Sequence, residues 1–180
     1  MMKAEQKKVL GEERRLLILS WLKEQGIPLT GSELSKRTNV SRQVIVQDIS
    51  LLKARNEPIV ATSQGYLYMS TQETQQQRRI IACQHGPDET ESELMLLVDH
   101  GVRVKDVTVE HPIYGEITAS IMVSTRKEVE LFLANVKHTN ATYLSQLTDG
   151  THLHTIEADS IFKLDAACDA LKKAGFLIDT

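Results

Sequence analysis

Residues 30–53, TGSELSKRTNVSRQVIVQDISLLK, carry two helix starts separated by a tight turn. Thr30 and Glu33 have the capping-box spacing, a hydroxyl at the N-cap and a carboxylate three residues on, and they open a short helix through Leu34 to about Arg37. Thr38-Asn39-Val40 makes the turn, and Ser41 is a second N-cap that opens a helix to about Arg55. In that helix Ile45, Ile49 and Leu52 recur at i, i+4 and i+7, which turns one face inward and leaves Arg42, Gln43, Val46, Gln47 and Lys53 outward.

The flanking segments complete a unit around this pair. Upstream, Leu10, Leu16, Leu17, Leu19, Trp21 and Leu22 predict an amphipathic helix over 7–24, stopped at Gln25-Gly26 with Pro28 just beyond. Downstream of Asn56-Glu57-Pro58, residues 59–62 and 66–69 flank Ser63-Gln64-Gly65 and predict a small hairpin. Helix, helix-turn-helix and hairpin in this order make a winged helix-turn-helix. Its second short helix can enter a major groove about 12 Å wide while the first braces it across the backbone. Double-stranded operator DNA is the expected partner. Ser41 and the first-turn N–H groups suit a phosphate, Arg42 reaches phosphate or guanine, and Gln43 and Gln47 pair with base edges. Val44 and Lys53 complete the expected DNA-binding set.

Charge supports the same division. The net charge of −3 averages a front of residues 1–70, at +4, with a remainder of residues 71–180, at −7. A basic front on an acidic remainder directs only the front toward a polyanion. Residues 71–79, TQETQQQRR, are polar and aperiodic and read as a linker, so the expected organisation is a DNA-binding domain over 1–70, the linker, and a second domain over 80–180. No apolar run approaches the roughly 20 residues that span a bilayer. The opening MMKAEQKKVLGEERR lacks the h-region of a signal peptide, so a cytoplasmic protein without a membrane partner is expected. Cys83 and Cys168 stand in no metal-type spacing and read as free, buried thiols without a function.

In the second domain the pattern predicts strands over 79–83, 104–109 and 116–123, around Leu153 and over 176–178, with helices over 89–99, 126–137 and 159–174. This alternation makes an α+β sandwich, one helical layer over a mostly antiparallel sheet. All six histidines, at 85, 100, 111, 138, 152 and 154, fall here. His152-Leu153-His154 on a strand puts two imidazoles on one face, about 7 Å apart by strand rise. They either converge on one ion or form a hydrogen-bonded surface pair. His85 ends the first strand and is followed by carboxylates at Asp88, Glu89, Glu91 and Glu93, so a mixed site for a first-row divalent metal is available. His100 and His138 sit near helix ends, where an imidazole commonly satisfies terminal carbonyls.

Residues 40–53, VSRQVIVQDISLLK, resemble the recognition segment of winged helix-turn-helix bacterial repressors, including the sugar-regulator and biotin-repressor types. Val46 and Gln47 stand where the sugar-regulator group carries basic residues, which weakens phosphate anchoring by this helix and makes pairing of two modules important. HPIYG at 111–115 and THLHTIEAD at 151–159, with His85 upstream, resemble the three-histidine (3H) domain. The whole chain thereby resembles the niacin-responsive transcription repressor family. The resemblance implies an HPr-like fold for the second domain, a homodimer, and nicotinic acid as co-repressor for genes of niacin uptake and NAD biosynthesis. It also implies a divalent transition metal, zinc or nickel foremost, held by His85, Glu93, His152 and His154.

Nicotinic acid offers a pyridine nitrogen and a carboxylate, and an open metal position suits one of them. His111 and Tyr114 are candidates for the wall of its pocket, unless His-Pro only shapes a turn and Tyr114 packs. A regulator that senses the metal itself is the alternative. A metal-dependent enzyme tethered to DNA is a third reading, without a nucleophile-and-base arrangement, a Gly-rich phosphate loop or an HExxH helix to support it.

Overall fold

The computed structural model describes residues 10–69 and 76–178. The chain divides into two compact units, Met1–Gln72 and Glu73–Thr180. Residues 7–9 of the expected first helix and 71–75 of the expected linker lie outside the described residues.

The first unit contains α1 (Gly11–Gln25), α2 (Gly31–Thr38), α3 (Arg42–Ala54) and a hairpin of β1 (Ile59–Thr62) and β2 (Gly65–Tyr68). Both expected N-caps form, Thr30 Oγ1 accepting from Glu33 N–H at 3.1 Å and Ser41 Oγ from Val44 N–H at 3.4 Å. Asn39 takes the left-handed conformation that closes α2, at φ 52°. Ile45, Ile49 and Leu52 join Ile18, Leu22, Leu29, Leu34 and Ile59 in one core. The hairpin turn is shorter than expected. Ser63-Gln64 alone makes it, and Gly65 belongs to β2, paired with Thr62. Glycine is required there because φ is +133° and a Cβ would stand 2.5 Å from the Leu29 carbonyl oxygen. That close approach lets Leu29 and Tyr66 exchange two backbone hydrogen bonds, of 2.9 and 2.8 Å, which tie the wing to the segment before α2.

One feature of α3 departs from its apolar period. Asp48, on the inward side, is only 2% exposed. Arg14 on α1 grips it from two sides, Nε to Oδ2 at 2.5 Å and Nη2 to Oδ1 at 3.2 Å, and Arg15 Nη1 adds a bond to Oδ1 at 3.2 Å. A fork-shaped pair of this kind fixes the helix register as well as the charge.

The second unit runs β3 (Gln77–Gln84), α4 (Thr90–Asp99), β4 (Arg103–His111), β5 (Gly115–Val123), α5 (Arg126–Thr139), β6 (Thr151–Ala158) and α6 (Ile161–Ala174). The strands form one antiparallel sheet in the order β3-β6-β4-β5. This is the expected α+β arrangement, mixed helices and sheet around a core of Leu94, Leu97, Val104, Val123, Ile156, Leu164 and Leu171 among others. Several element limits differ from expectation. The strand β3 starts at Gln77, so Gln77 to Arg79 pair with β6 and are not linker. A 3-10 turn at Pro87–Glu89 precedes α4, and Ser160 caps α6 where a start at Asp159 was expected. Finally, 176–178 is not a full strand but a single bridge from Leu177 to Cys83, flanked by bonds from Gln84 N–H to Phe176 O and from Ile178 N–H to Ala82 O, both 2.9 Å.

Removing the Asp48 carboxylate deprives two largely buried guanidinium groups of their shared acceptor. Asp48→Ala is expected to destabilise the first unit by about 3–5 kcal/mol, read by urea unfolding with fluorescence of Trp21, the chain's single tryptophan. A change below about 1 kcal/mol would show the pair to be dispensable.

Candidate metal centre and nucleic-acid interface

On α4, Thr90, Glu93, Leu94, Leu97 and Val98 are buried, the i, i+3, i+4, i+7, i+8 stripe of a helix lying on a sheet. Glu93 is the one charged residue of that stripe and is 1% exposed, whereas Asp88, Glu89 and Glu91 are exposed. On β6 the alternation buries His152, His154, Ile156 and Ala158 on the helix side, so both imidazoles of the His-x-His lie under α4. His85, one residue beyond β3, reaches the same point. The three Nε2 atoms converge on the Glu93 carboxylate: His85 at 2.8 Å from Oε2, His152 at 3.3 Å from Oε1 and His154 at 3.4 Å from Oε2.

The other ring nitrogen of each histidine settles its tautomer. Nδ1 of His85 stands 2.8 Å from the Gly86 carbonyl, that of His152 2.8 Å from the Gly150 carbonyl, and that of His154 2.7 Å from the Asp106 carbonyl. A carbonyl only accepts, so each Nδ1 carries the proton and a neutral ring presents its lone pair at Nε2. Two backbone irregularities supply two of these carbonyls. At the break in register between Val104 and Asp106, the Thr155 N–H bonds the Asp106 side chain at 3.0 Å and the Asp106 carbonyl accepts from His154. Gly150, at φ +84°, lets its carbonyl serve both His152 and the His85 N–H; a Cβ there would stand 2.2 Å from the His85 oxygen.

Three lone pairs facing an acceptor-only carboxylate repel unless protons or a cation stand between them. His85 Nε2 makes no hydrogen bond despite its 2.8 Å approach to Glu93. Ligand atoms bonded at about 2.0–2.1 Å to one ion stand roughly 2.9 Å apart at right angles and 3.4 Å apart at tetrahedral angles. The observed separations of 2.8, 3.3 and 3.4 Å sit close to that span. The donor set therefore fits a first-row divalent metal, with the Nδ1 bonds as the outer contacts that orient metal-binding histidines. Cys83, expected to be inert, lies at the same place: its Sγ, a Glu93 oxygen and a His152 nitrogen are within 4.8 Å of one another. Its signal was the spacing Cys83-x-His85, which repeats that of His152-x-His154. The other cysteine, Cys168, is only half-buried.

Two hollows reach the cluster. One, of about 470 Å³, is bounded by Gln84, His85, Pro87, Ser145, Gln146 and Asp149. The other, of about 440 Å³, has His152 on its wall together with Thr108, Glu110, Pro112 and Glu116. Among the described residues, neither is lined by a lysine or arginine. His111 and Tyr114 line neither. They sit at the β4–β5 turn, where His111 Nδ1 accepts from the N–H groups of Ile113 and Tyr114 at 3.2 and 3.3 Å, and where Tyr114 is 76% exposed against the His111 ring. The geometry gives them a role in shaping that turn. His100 Nδ1 donates to the Leu96 carbonyl at 2.8 Å, as its helix-end position suggested.

In the first unit, Ser41, Arg42, Gln43, Gln47 and Lys53 are exposed on α3, and Val44 is half-buried. The Ser41 hydroxyl is engaged with Val44 N–H, but the N–H groups of Arg42 and Gln43 have no intramolecular partner among the described residues and remain available to a phosphate. Arg15, Arg37 and Arg55 are drawn into pairs with Glu12, Glu33 and Asp48. Lys36, Arg42 and Lys53 carry the basic excess that is not paired among the described residues.

Known proteins share both units. Residues 78–180 match the 3H domain and residues 14–67 an HTH domain. Transcription repressor NadR of Bacillus subtilis (strain 168) is 61% identical over 176 residues, covering 97% of this chain and 98% of that protein. Probable transcription repressor NiaR of Thermotoga maritima is 40% identical over 172 residues, covering 96% and 97%. No helix among the described residues is long and apolar enough to cross a membrane.

Without metal, burial works against charge on Glu93, but the His154 charge, the hydrogen bonds of His152 and His154 and the close approach of His85 outweigh it and hold the carboxyl well below its ordinary 4.5. Burial likewise opposes protonation of His85 and His154, and the Glu93 carboxylate outweighs it, raising both above 6.5. The Glu93 contribution to stability is present above its ordinary value and lost as pH falls through the depressed one. The histidine contribution is full below 6.5 and lost as pH rises through the raised values. The metal-free second unit is thus expected to lose stability as pH rises past neutrality. Zinc requires the unprotonated Nε2 atoms, so its stabilisation grows over that interval. Calorimetric scans from pH 5 to about 9 with chelator and with zinc check this; parallel profiles would contradict it.

Proposed function

The chain belongs to the family of 3H-domain, helix-turn-helix transcription repressors and is not an enzyme, and from that premise we propose that it represses genes of niacin uptake and NAD biosynthesis with nicotinic acid as co-repressor. The observation that carries the proposal is the convergence of three tautomer-fixed Nε2 atoms on one buried carboxylate beneath two solvent-reaching hollows. His85, Glu93, His152 and His154 would hold a divalent metal, zinc or nickel foremost, and that ion when bound supplies a position to which the effector's carboxylate or pyridine nitrogen can bind.

The walls of the hollows sharpen this reading. Among the described residues no cationic side chain lines either hollow to take a carboxylate, so preference for nicotinic acid over neutral nicotinamide has to come from coordination to the ion itself. Of the two hollows, the one at His152 includes Glu110 and Glu116, which repel an anion. The one at His85 offers the neutral polar groups of Gln84, Ser145 and Gln146 against a single carboxylate, Asp149. It is the better seat for the effector. Coupling to DNA requires that nicotinic acid bind the DNA-competent arrangement of a homodimer more tightly than the alternative. Pairing also compensates for the limited grip of one α3, whose outward face has Val46 and Gln47 between Arg42 and Lys53. We retain the cytoplasm as the expected compartment.

Fluorescence anisotropy on an operator duplex tests the proposal. Nicotinic acid is expected to raise the affinity of the zinc-loaded protein at least about tenfold, within the usual range of allosteric coupling, and nicotinamide to leave it unchanged. The double variant His152→Ala, His154→Ala is expected to lose the response while keeping non-specific binding. Equal affinity with and without nicotinic acid would refute the co-repressor role, and a full response to metal alone would favour a metal sensor.

A further inference from the structure

We propose that Cys83 is a further donor to the metal centre, its thiolate binding the same ion as Glu93 and the three histidines. The inference rests on the reading of that cluster as a metal site. Placement comes first. Cys83 on β3 stands directly opposite His152 on β6, and directly opposite residues of an antiparallel pair project to the same face. The thiol is fully buried on the α4 side, with Sγ, a Glu93 oxygen and a His152 nitrogen mutually within 4.8 Å.

Charge supplies the second argument. A divalent ion held by three neutral imidazoles and one carboxylate leaves a net positive charge among residues that are each 8% exposed or less. An uncompensated charge at such a site is costly. The other buried carboxylate among the described residues of this unit, Glu157, cannot offset it, because it lies on the alternate face of β6 and is paired with Arg78 and Lys105. A Cys83 thiolate brings the sum to zero. On metal binding the S–H proton leaves to solvent and the sulfur lone pair forms the bond to the ion. A soft sulfur donor would direct the site toward zinc, cobalt or nickel and away from manganese or magnesium.

Cobalt(II) loading of the full chain separates the two levels of this reading. Visible d–d absorption reports that cobalt occupies a low-coordinate site, and a near-ultraviolet sulfur-to-cobalt charge-transfer band reports a thiolate ligand. Both are expected in the unaltered protein. Cys83→Ser should remove the near-ultraviolet band, keep the visible one, and weaken zinc binding at least about tenfold while leaving manganese binding nearly unchanged. Cys168→Ser should change neither spectrum. Visible bands without the charge-transfer band, or loss of that band in Cys168→Ser, would overturn the role of Cys83 and leave the histidine and carboxylate centre standing. Failure to take up cobalt would overturn both. The spectrum of the unaltered protein decides the matter even if Cys83→Ser does not fold.

Discussion

A carboxylate on the core face of a helix is tolerable only with partners that offset its desolvation, and the second unit is organised around meeting that demand at Glu93. Leu94, Leu97 and Val98 seat α4 on the sheet and thereby drive Glu93 inward. Period-two alternation on β6 brings His152 and His154 beneath it, and the end of β3 brings His85. Each ring is then held from behind by a backbone carbonyl, and two of the three carbonyls stand at irregularities of the backbone. The break in β4 provides one at Asp106, and the left-handed Gly150 provides another while also accepting from the His85 backbone. Packing, strand register and two backbone irregularities thus specify one set of lone pairs.

Much of this was legible in the sequence. The caps at Thr30 and Ser41, the turn at Asn39 and the inward period of α3 are local signals, and all of them formed. The His-x-His spacing was local too. The choice of Glu93 over Glu89 or Glu91 came from family resemblance, although the stripe through Leu94, Leu97 and Val98 points to it. The unbroken apolar run from Leu94 to Val98 hides that period, because Met95 and Leu96 blur the face. Cys83 was missed because its partners are set by pairing across the sheet, a non-local fact. Gly150 and the Asp106 carbonyl act through backbone conformation, which side-chain identity does not announce. Asp48 was missed for a related reason: a charged residue on an apolar face reads as outward until Arg14, 34 positions away, is seen beside it.

The two units place their charge differently. In the first, most arginines are consumed by internal pairs, and the basic surface on the reading helix reduces to a few side chains and two open N–H groups. That face by itself thus offers duplex DNA few phosphate contacts. Under the proposed effector control, a small coupling energy would then decide occupancy. In the second unit charge is buried and concentrated, where a single ion alters the balance.

Anomalous diffraction from crystals of the zinc-loaded protein, recorded at the zinc edge, tests the central claim most directly. The account predicts one strong peak within about 2.3 Å of Nε2 of His85, His152 and His154 and of a Glu93 oxygen, with all three Nδ1 atoms still on the carbonyls of Gly86, Gly150 and Asp106. A peak bonded through Nδ1, or no peak at the cluster with the three rings still resting on Glu93, would contradict it.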